Sequence, residues 1–112
     1  MQDELKKYLQ DILLSIEHVQ LFTANVKSLN EYVLNLMLKK AVEREMEIIG
    51  EALGIALKME KSLQISNARK IVNTRNKIIH GYDQVDDAVI WAVVIKHLPI
   101  LKCETEKLLQ EN

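Results

Sequence analysis

The sequence has few glycines, prolines, cysteines and aromatic residues, and each shortage excludes a class of protein. Three glycines and one proline in 112 residues are too few for the many turns of a β-sandwich or a β-barrel. The lone Cys103 excludes an internal disulfide and fits a reducing cytosol. One Trp, three Tyr and one Phe leave almost no surface on which nucleic-acid bases could stack.

Net charge and long apolar segments are lacking as well. The formal charge is -1, so any nucleic-acid binding must come from a local basic patch. No run of apolar residues is long enough to cross a membrane. The acidic start from Met1 to Glu4 is followed by no apolar segment of a signal peptide. We therefore expect a cytoplasmic protein without a membrane partner.

The residues that are abundant predict one all-α domain spanning residues 1–112. Apolar side chains recur at helical spacing in the segments 2–24, 36–60, 68–79 and 100–108. Residues 88–95 are eight uninterrupted apolar residues, which alone could form a buried strand; because no other segment offers a partner strand, we expect a buried helix. Ser28 and Glu31 form a capping box for a further short helix, which pauses near Asn35. Pro99 suits either a kink or the first position of a new helix. We expect an up-and-down bundle of four to five helices.

Polar residues mark both ends of the helix between Ala68 and Ile79. Ser66 or Asn67 is expected to cap its start, and Gly81 is expected to end it in the left-handed conformation. The acidic residues Asp83, Asp86 and Asp87 then open the next helix, where the dipole favours negative charge. With His80 they form an alternative set of metal ligands. Because capping explains them without an ion, we expect no metal site.

This helix carries an arginine where a leucine would be expected. On a regular helix, Arg75 falls in the middle of an apolar arc formed by Ala68, Ile71, Val72, Ile78 and Ile79. A guanidinium in such a place needs a partner. His80, in the last turn, lies on a separate polar stripe. The ordinary interpretation is that Arg75 extends its charge to solvent and that His80 is a solvated residue at the helix end.

Arg75, His80 and Tyr82 form the spacing Arg-x4-His-x-Tyr, which resembles the signature of the HEPN superfamily in its HepT-like toxin branch. The segments from Ala41 to Ala52 and from Tyr82 to Asp87, with Leu98 and Pro99, also resemble that branch. The resemblance implies a HEPN-like helical fold and a homodimer whose paired motifs line one cleft. It also implies an endoribonuclease that uses Arg75 and His80 without a metal or another cofactor.

Asn76 lies one turn before His80 on the same face of the helix, so it could orient the imidazole or bind phosphate. The resemblance implies a role for Tyr82 as well. Tyr82 would receive AMP from the partner of HepT-like toxins, a minimal nucleotidyltransferase antitoxin called MntA; without the resemblance, Tyr82 would simply pack beside the helix end. The alternative function is a non-catalytic dimeric adaptor that binds nucleotide or its nucleotidyltransferase partner. The low net charge and the scarcity of aromatic residues keep this alternative open.

Overall fold

The chain folds into helices that match the segments expected from its periodicity. The structure, a computed structural model, describes residues 1–81 and 85–111. Its α-helices are α1 (Asp3–Thr23), α2 (Leu29–Val33), α3 (Leu36–Met59), α4 (Ala68–His80), α5 (Asp87–Ala92) and α6 (Leu98–Gln110). A π-helical turn, Val93–His97, joins α5 and α6 into one continuous helical segment. The predicted all-α bundle is therefore confirmed, and the described residues contain no strand.

The two longest helices, α1 and α3, pack along each other and supply most of the core. Helix α4 packs on α3, and α6 packs on α1. Apolar side chains three or four residues apart face inward together, because that spacing puts them on one side of a helix. The fully buried residues of α1 and α3 include Leu9, Ile12, Ile16, Val19, Val42, Met46, Ile49 and Leu53. Each stabilises the fold by about 1.5–3 kcal/mol through its removal from water.

Three of the predicted helix starts are made by side-chain caps. The Ser28 hydroxyl accepts a hydrogen bond from the Glu31 backbone N–H at 3.2 Å, as expected for the capping box. The Asn35 side chain accepts from the Leu38 N–H at 3.0 Å, so the predicted pause near Asn35 is the cap of α3. Asp86 accepts from the first N–H groups of α5. These bonds satisfy backbone donors that have no partner inside a helix.

The two ends of α4 differ from the prediction. Neither Ser66 nor Asn67 caps α4 with its side chain. The backbone N–H and the hydroxyl of Ser66 instead donate to the Glu104 carboxylate of α6 at 2.9 and 2.6 Å. Asn67 adopts the left-handed conformation with φ 59°, which asparagine tolerates better than most residues.

Gly81 does not adopt the left-handed conformation predicted for it, because its φ is -75°. A glycine is needed at this position for a different reason. A Cβ at residue 81 would collide with the backbone carbonyl oxygen of Lys77. Close approach of the chain to the last turn of α4, rather than a positive φ, therefore explains this glycine.

Pro99 is the second residue of α6, one position after the helix start that was predicted for it. Because proline has no backbone N–H, it cannot donate the hydrogen bond that a regular helix would form to an earlier carbonyl. The Leu98 N–H bonds to the carbonyl of Val93, five residues earlier, across the π-helical turn. None of the helices in the described ranges combines the length and the apolar content needed to cross a membrane.

Candidate active site

Helix α4 is rotated about its axis relative to the predicted apolar arc. Its buried positions are Ile71 and Thr74, while Ile79, on the predicted apolar arc, is 41% exposed. Thr74 can be buried because its hydroxyl donates to the Lys70 carbonyl at 2.8 Å, which leaves no unsatisfied donor. The predicted apolar arc is therefore only partly buried within one chain, with Ile79 at its exposed edge. Arg75 lies at the edge of the buried face rather than at its centre.

Arg75 is held at the contact between α3 and α4. A Cβ built on the buried Gly50 would collide with the Cβ and Cγ atoms of Arg75. Farther along, Gly54 and Leu57 of α3 line a groove with Ala68 and Val72 of α4. The two helices therefore run antiparallel, and Gly50 gives the arginine stem room to lie directly on the backbone of α3.

The guanidinium of Arg75 is only partly satisfied within the chain. Its Nη1 donates to the Asn76 Oδ1 at 3.1 Å, while its buried Nε has no hydrogen-bond partner among the described residues. A guanidinium has five N–H donors in a rigid fork, so Arg75 retains donors for a ligand. The Asn76 oxygen is engaged, which leaves the amide N–H groups of Asn76 to donate elsewhere.

His80 is the last residue of α4 and is exposed. It has no hydrogen bond or ion pair among the described residues. Because α4 is helical through His80, Arg75 and His80 point about 140° apart around the axis. The chain leaves the helix only after His80, so unwinding at Gly81 does not bring the two side chains together. Tyr82 lies outside the described residues.

The polar face of α4 is strongly basic. Four of the 15 Lys and Arg residues of the chain, and none of its 16 Asp and Glu residues, lie in Ala68–His80. The helix thus has a formal charge of +4 in a chain of charge -1. This helix is a local basic patch of the kind that a chain of charge -1 needs in order to bind nucleic acid. The absence of acidic residues between Ala68 and His80 would have indicated this basic patch from the sequence.

A second histidine lies close to this basic helix. His97 is partly buried, and its Nδ1 has no partner among the described residues. Burial lowers the pKa of the His97 imidazole, and the ammonium groups of Lys70 and Lys96 lower it further. The neutral imidazole is therefore favoured where two positive charges act on it.

The acidic residues at the start of α5 are occupied by structural contacts. Asp86 caps the helix, and Asp87 forms an ion pair with Lys39 of α3 at 2.9 Å. Capping therefore accounts for Asp86 as predicted, while Asp83 lies outside the described residues. Across residues 1–81 and 85–111, no three His, Cys, Asp or Glu side chains are grouped so that they could hold a metal ion.

Comparison with known proteins decides the family. Residues 12–108 match the sequence profile of the family described as "Ribonuclease HepT-like". The chain belongs to the HepT-like ribonuclease family. Family membership confirms the resemblance that was inferred from Arg75, His80 and Tyr82.

Several relatives of this HepT-like chain are similar over nearly their whole length. "Putative RNase MJ1380" of Methanocaldococcus jannaschii is 35% identical over 105 residues, covering 92% of this chain and 94% of the relative. "Probable ribonuclease HepT" of Thermococcus cleftensis is 35% identical over 109 residues, covering 96% and 98%. "Putative RNase TTE0752" of Caldanaerobacter subterraneus is 31% identical over 111 residues, covering 96% of each. No solved structure matches the chain.

In this HepT-like ribonuclease, the described geometry combines two chemical capacities on one helix. Arg75 offers a partly buried guanidinium with donors to spare, and such a fork matches two oxygens of a phosphate. His80 offers an exposed imidazole, a group that gains and loses protons near neutral pH in proteins. Asn76 lies between them around the helix axis and is bonded to Arg75.

Proposed function

We propose that this chain is a metal-independent endoribonuclease in which Arg75 and His80 are the catalytic residues. The observation that carries the proposal is the Arg75 guanidinium, whose one hydrogen bond among the described residues runs from Nη1 to Asn76. Its remaining Nη donors can bind the oxygens of an RNA phosphate as a fork, whereas the buried Nε is out of reach of a ligand. Membership of the HepT-like ribonuclease family supports the same reaction.

In the proposed reaction, the ribose 2′-hydroxyl attacks the neighbouring phosphorus, and the bond to the 5′-oxygen breaks. One imidazole takes the proton of the 2′-hydroxyl, and an imidazolium gives a proton to the leaving 5′-oxygen. Arg75 stabilises the additional negative charge of the phosphorane, and the Asn76 amide donates to a phosphate oxygen. The products are a 2′,3′-cyclic phosphate and a 5′-hydroxyl.

The site is proposed to be completed by a second copy of the chain in a homodimer. Arg75 and His80 of one chain diverge on a regular helix, so one phosphate cannot contact both side by side. The His80 of a second copy could face Arg75 across a two-fold axis. The exposed Ile79, which lies on the same flank of α4 as Arg75, offers apolar surface for such a contact. The His80 of that second copy would take the proton of the 2′-hydroxyl as an imidazole and give it to the 5′-oxygen as an imidazolium, so a dimer would hold two such sites.

We also propose that the chain is the toxin of a toxin–antitoxin pair. This part rests on the Arg-x4-His-x-Tyr pattern. The partner would be an MntA-like minimal nucleotidyltransferase, and it would transfer AMP to the hydroxyl of Tyr82. The added phosphodiester would place a negative charge two residues from His80, where it would compete with the substrate phosphate for Arg75.

The direct test is incubation of purified protein with RNA in the presence and absence of a chelator. We expect cleavage in both conditions, with 2′,3′-cyclic phosphate and 5′-hydroxyl ends. His80→Ala should give no cleavage although it folds. Cleavage that disappears with the chelator would contradict the metal-independent mechanism. A dimer that binds nucleotide or RNA and never cuts it would instead support the adaptor function.

A further inference from the structure

A groove between α4 and α5 presents positive charge that nothing in the described residues neutralises. It is lined by Arg69, Lys70, Asn73, Thr74 and Lys77 of α4 and by Val89 of α5, and its volume is about 500 Å³. This volume falls within the range of roughly 300–1,000 Å³ that is usual for ligand sites. All three cationic side chains are exposed, and none of them forms an ion pair with a described residue.

The acidic groups at the start of α5, the helix that contributes Val89 to the groove, are engaged in structural contacts. Asp87, in the first turn of α5, is paired with Lys39, and the Asp86 carboxylate accepts hydrogen bonds from the start of α5. Neither carboxylate forms an ion pair with Arg69, Lys70 or Lys77 among the described residues. The lowered pKa of His97, caused by burial and then by Lys70 and Lys96, indicates that the positive field continues toward the start of α6.

The spacing of the lysines directs this charge along one side of α4. Lys70 and Lys77 are seven residues apart, or about 10 Å along the axis, and face the same side of the helix. Lys77 precedes His80 by one turn, and the two lie about 60° apart around the axis. A strand that follows the groove therefore reaches His80 at its end. The two ammonium groups can contact different phosphates of that strand.

We propose that the α4–α5 groove holds the phosphate backbone of the RNA beside the cleavage site, with Lys70 and Lys77 as its phosphate contacts. This inference rests on the proposed ribonuclease function and adds the path of the substrate to it. None of the described residues that line the groove is aromatic, so they offer no surface on which bases can stack. Its contacts are ionic and do not read sequence. Discrimination between RNA sequences must therefore arise outside this groove.

The test uses binding of fluorescein-labelled single-stranded RNA of mixed sequence, measured by anisotropy in the full-length His80→Ala background so that the probe stays intact. The variant Lys70→Gln/Lys77→Gln removes the two proposed contacts. Its control, Lys6→Gln/Lys7→Gln in α1, removes the same charge from a helix that packs on α3 and α6. Circular dichroism confirms that both variants remain folded.

We expect the groove variant to bind RNA at least about tenfold more weakly at 0.1 M salt. The slope of log K against log salt concentration should fall by about 1.4, since each phosphate contact of a single strand contributes about 0.7. The control should match the parent protein, and Lys70→Arg/Lys77→Arg should restore binding. If the groove variant binds RNA as tightly as the control variant, the proposal is wrong. The same holds if Lys70 and Lys77 turn out to bind an acidic protein rather than RNA.

The experiments distinguish an error in the groove proposal from an error in the proposed ribonuclease function. If the protein with intact His80 cuts RNA and the groove variant binds and cuts equally well, the function stands and the groove is wrong. If RNA binding depends on Lys70 and Lys77 but no cleavage occurs, the groove stands and the catalytic proposal is wrong. If both stand, the groove variant should show a raised KM with little change in kcat.

Discussion

The side chain of Arg75 lies directly on Gly50, at the point where α4 packs against α3. This contact keeps the methylene stem of the arginine out of water and holds the guanidinium at the edge of the core. The Oδ1 atom of Asn76 accepts a hydrogen bond from Nη1 of this guanidinium at 3.1 Å. The glycine therefore positions the proposed catalytic arginine, although it bears no functional group itself.

Gly50→Ala is expected to destabilise the protein and impair RNA cleavage. The added Cβ would collide with the arginine stem, and overpacking of this kind costs about 1–3 kcal/mol. Gly54→Ala is the matched control in the same helix, because a Cβ there meets no atom within 4 Å. Its better helix propensity should raise stability by up to about 1 kcal/mol. Urea unfolding of the two variants measures the difference, and equal stabilities would contradict the proposed contact.

Arg75→Leu is expected to separate stability from activity. Removal of a buried donor without an acceptor should leave the free energy of unfolding unchanged or raise it by about 1 kcal/mol. The rate of RNA cleavage should fall by about 100-fold or more, because the phosphorane loses its principal donor. Arg75→Lys, which keeps the charge but lacks the fork, should retain stability and recover little activity. An Arg75→Leu protein that cleaves RNA normally would exclude this role for the arginine.

Much of this arrangement could be predicted from the sequence, but the contacts between distant residues could not. Helical periodicity located α1, α3, α4 and α6, because burial of one face requires that spacing. A capping box located α2, and residues 88–95 were expected to be helical because no partner strand exists. The rotation of α4, which exposes Ile79 and buries Thr74, was missed because the Thr74 hydroxyl is satisfied inside its own helix. The prediction for Gly81 failed because two different causes can require glycine at a helix end. Here the cause is the close Lys77 carbonyl oxygen, which leaves no room for a Cβ, and not a positive φ.

The capping of α4 shows the same limit. Ser66 was a good candidate by its local sequence, yet its hydroxyl bonds to Glu104, 38 residues away. A local pattern carries no information about such a competitor. The motif residues were identified because their spacing resembles a family, whereas the contribution of Gly50 depends on how two helices cross. That contribution became apparent only in the folded chain.

Acidification is expected to destabilise the fold through His97. Its pKa is lowered in the folded chain by burial, with a further contribution from Lys70 and Lys96. The unfolded chain therefore binds the proton more readily, and the stability associated with the neutral imidazole is lost as the pH falls below about 6.5. His97→Gln should flatten the dependence of the unfolding free energy on pH between about 7 and 5.5. The same slope in the variant and in the unsubstituted protein would contradict this assignment.

Tyr82→Phe is expected to remain active and to escape silencing by the nucleotidyltransferase partner. The substitution keeps the ring but removes the oxygen that would accept AMP. Co-expression with the partner should raise the mass of the Tyr82 peptide by whole AMP units in the unsubstituted protein and not in the variant. If the partner silences the phenylalanine variant equally well, inhibition arises from complex formation and the tyrosine switch is wrong.

The central claim, that one copy supplies Arg75 and another supplies His80, is tested most directly by mixing two inactive variants. Light scattering should first report a dimer of twice the 12.9 kDa chain mass. Arg75→Leu and His80→Ala are then unfolded together, refolded as a mixture and assayed for RNA cleavage. Half of the dimers should be mixed, and each mixed dimer should contain one intact site, so about a quarter of the unsubstituted activity should return. A mixture as inactive as its two components would show that each chain builds its site alone.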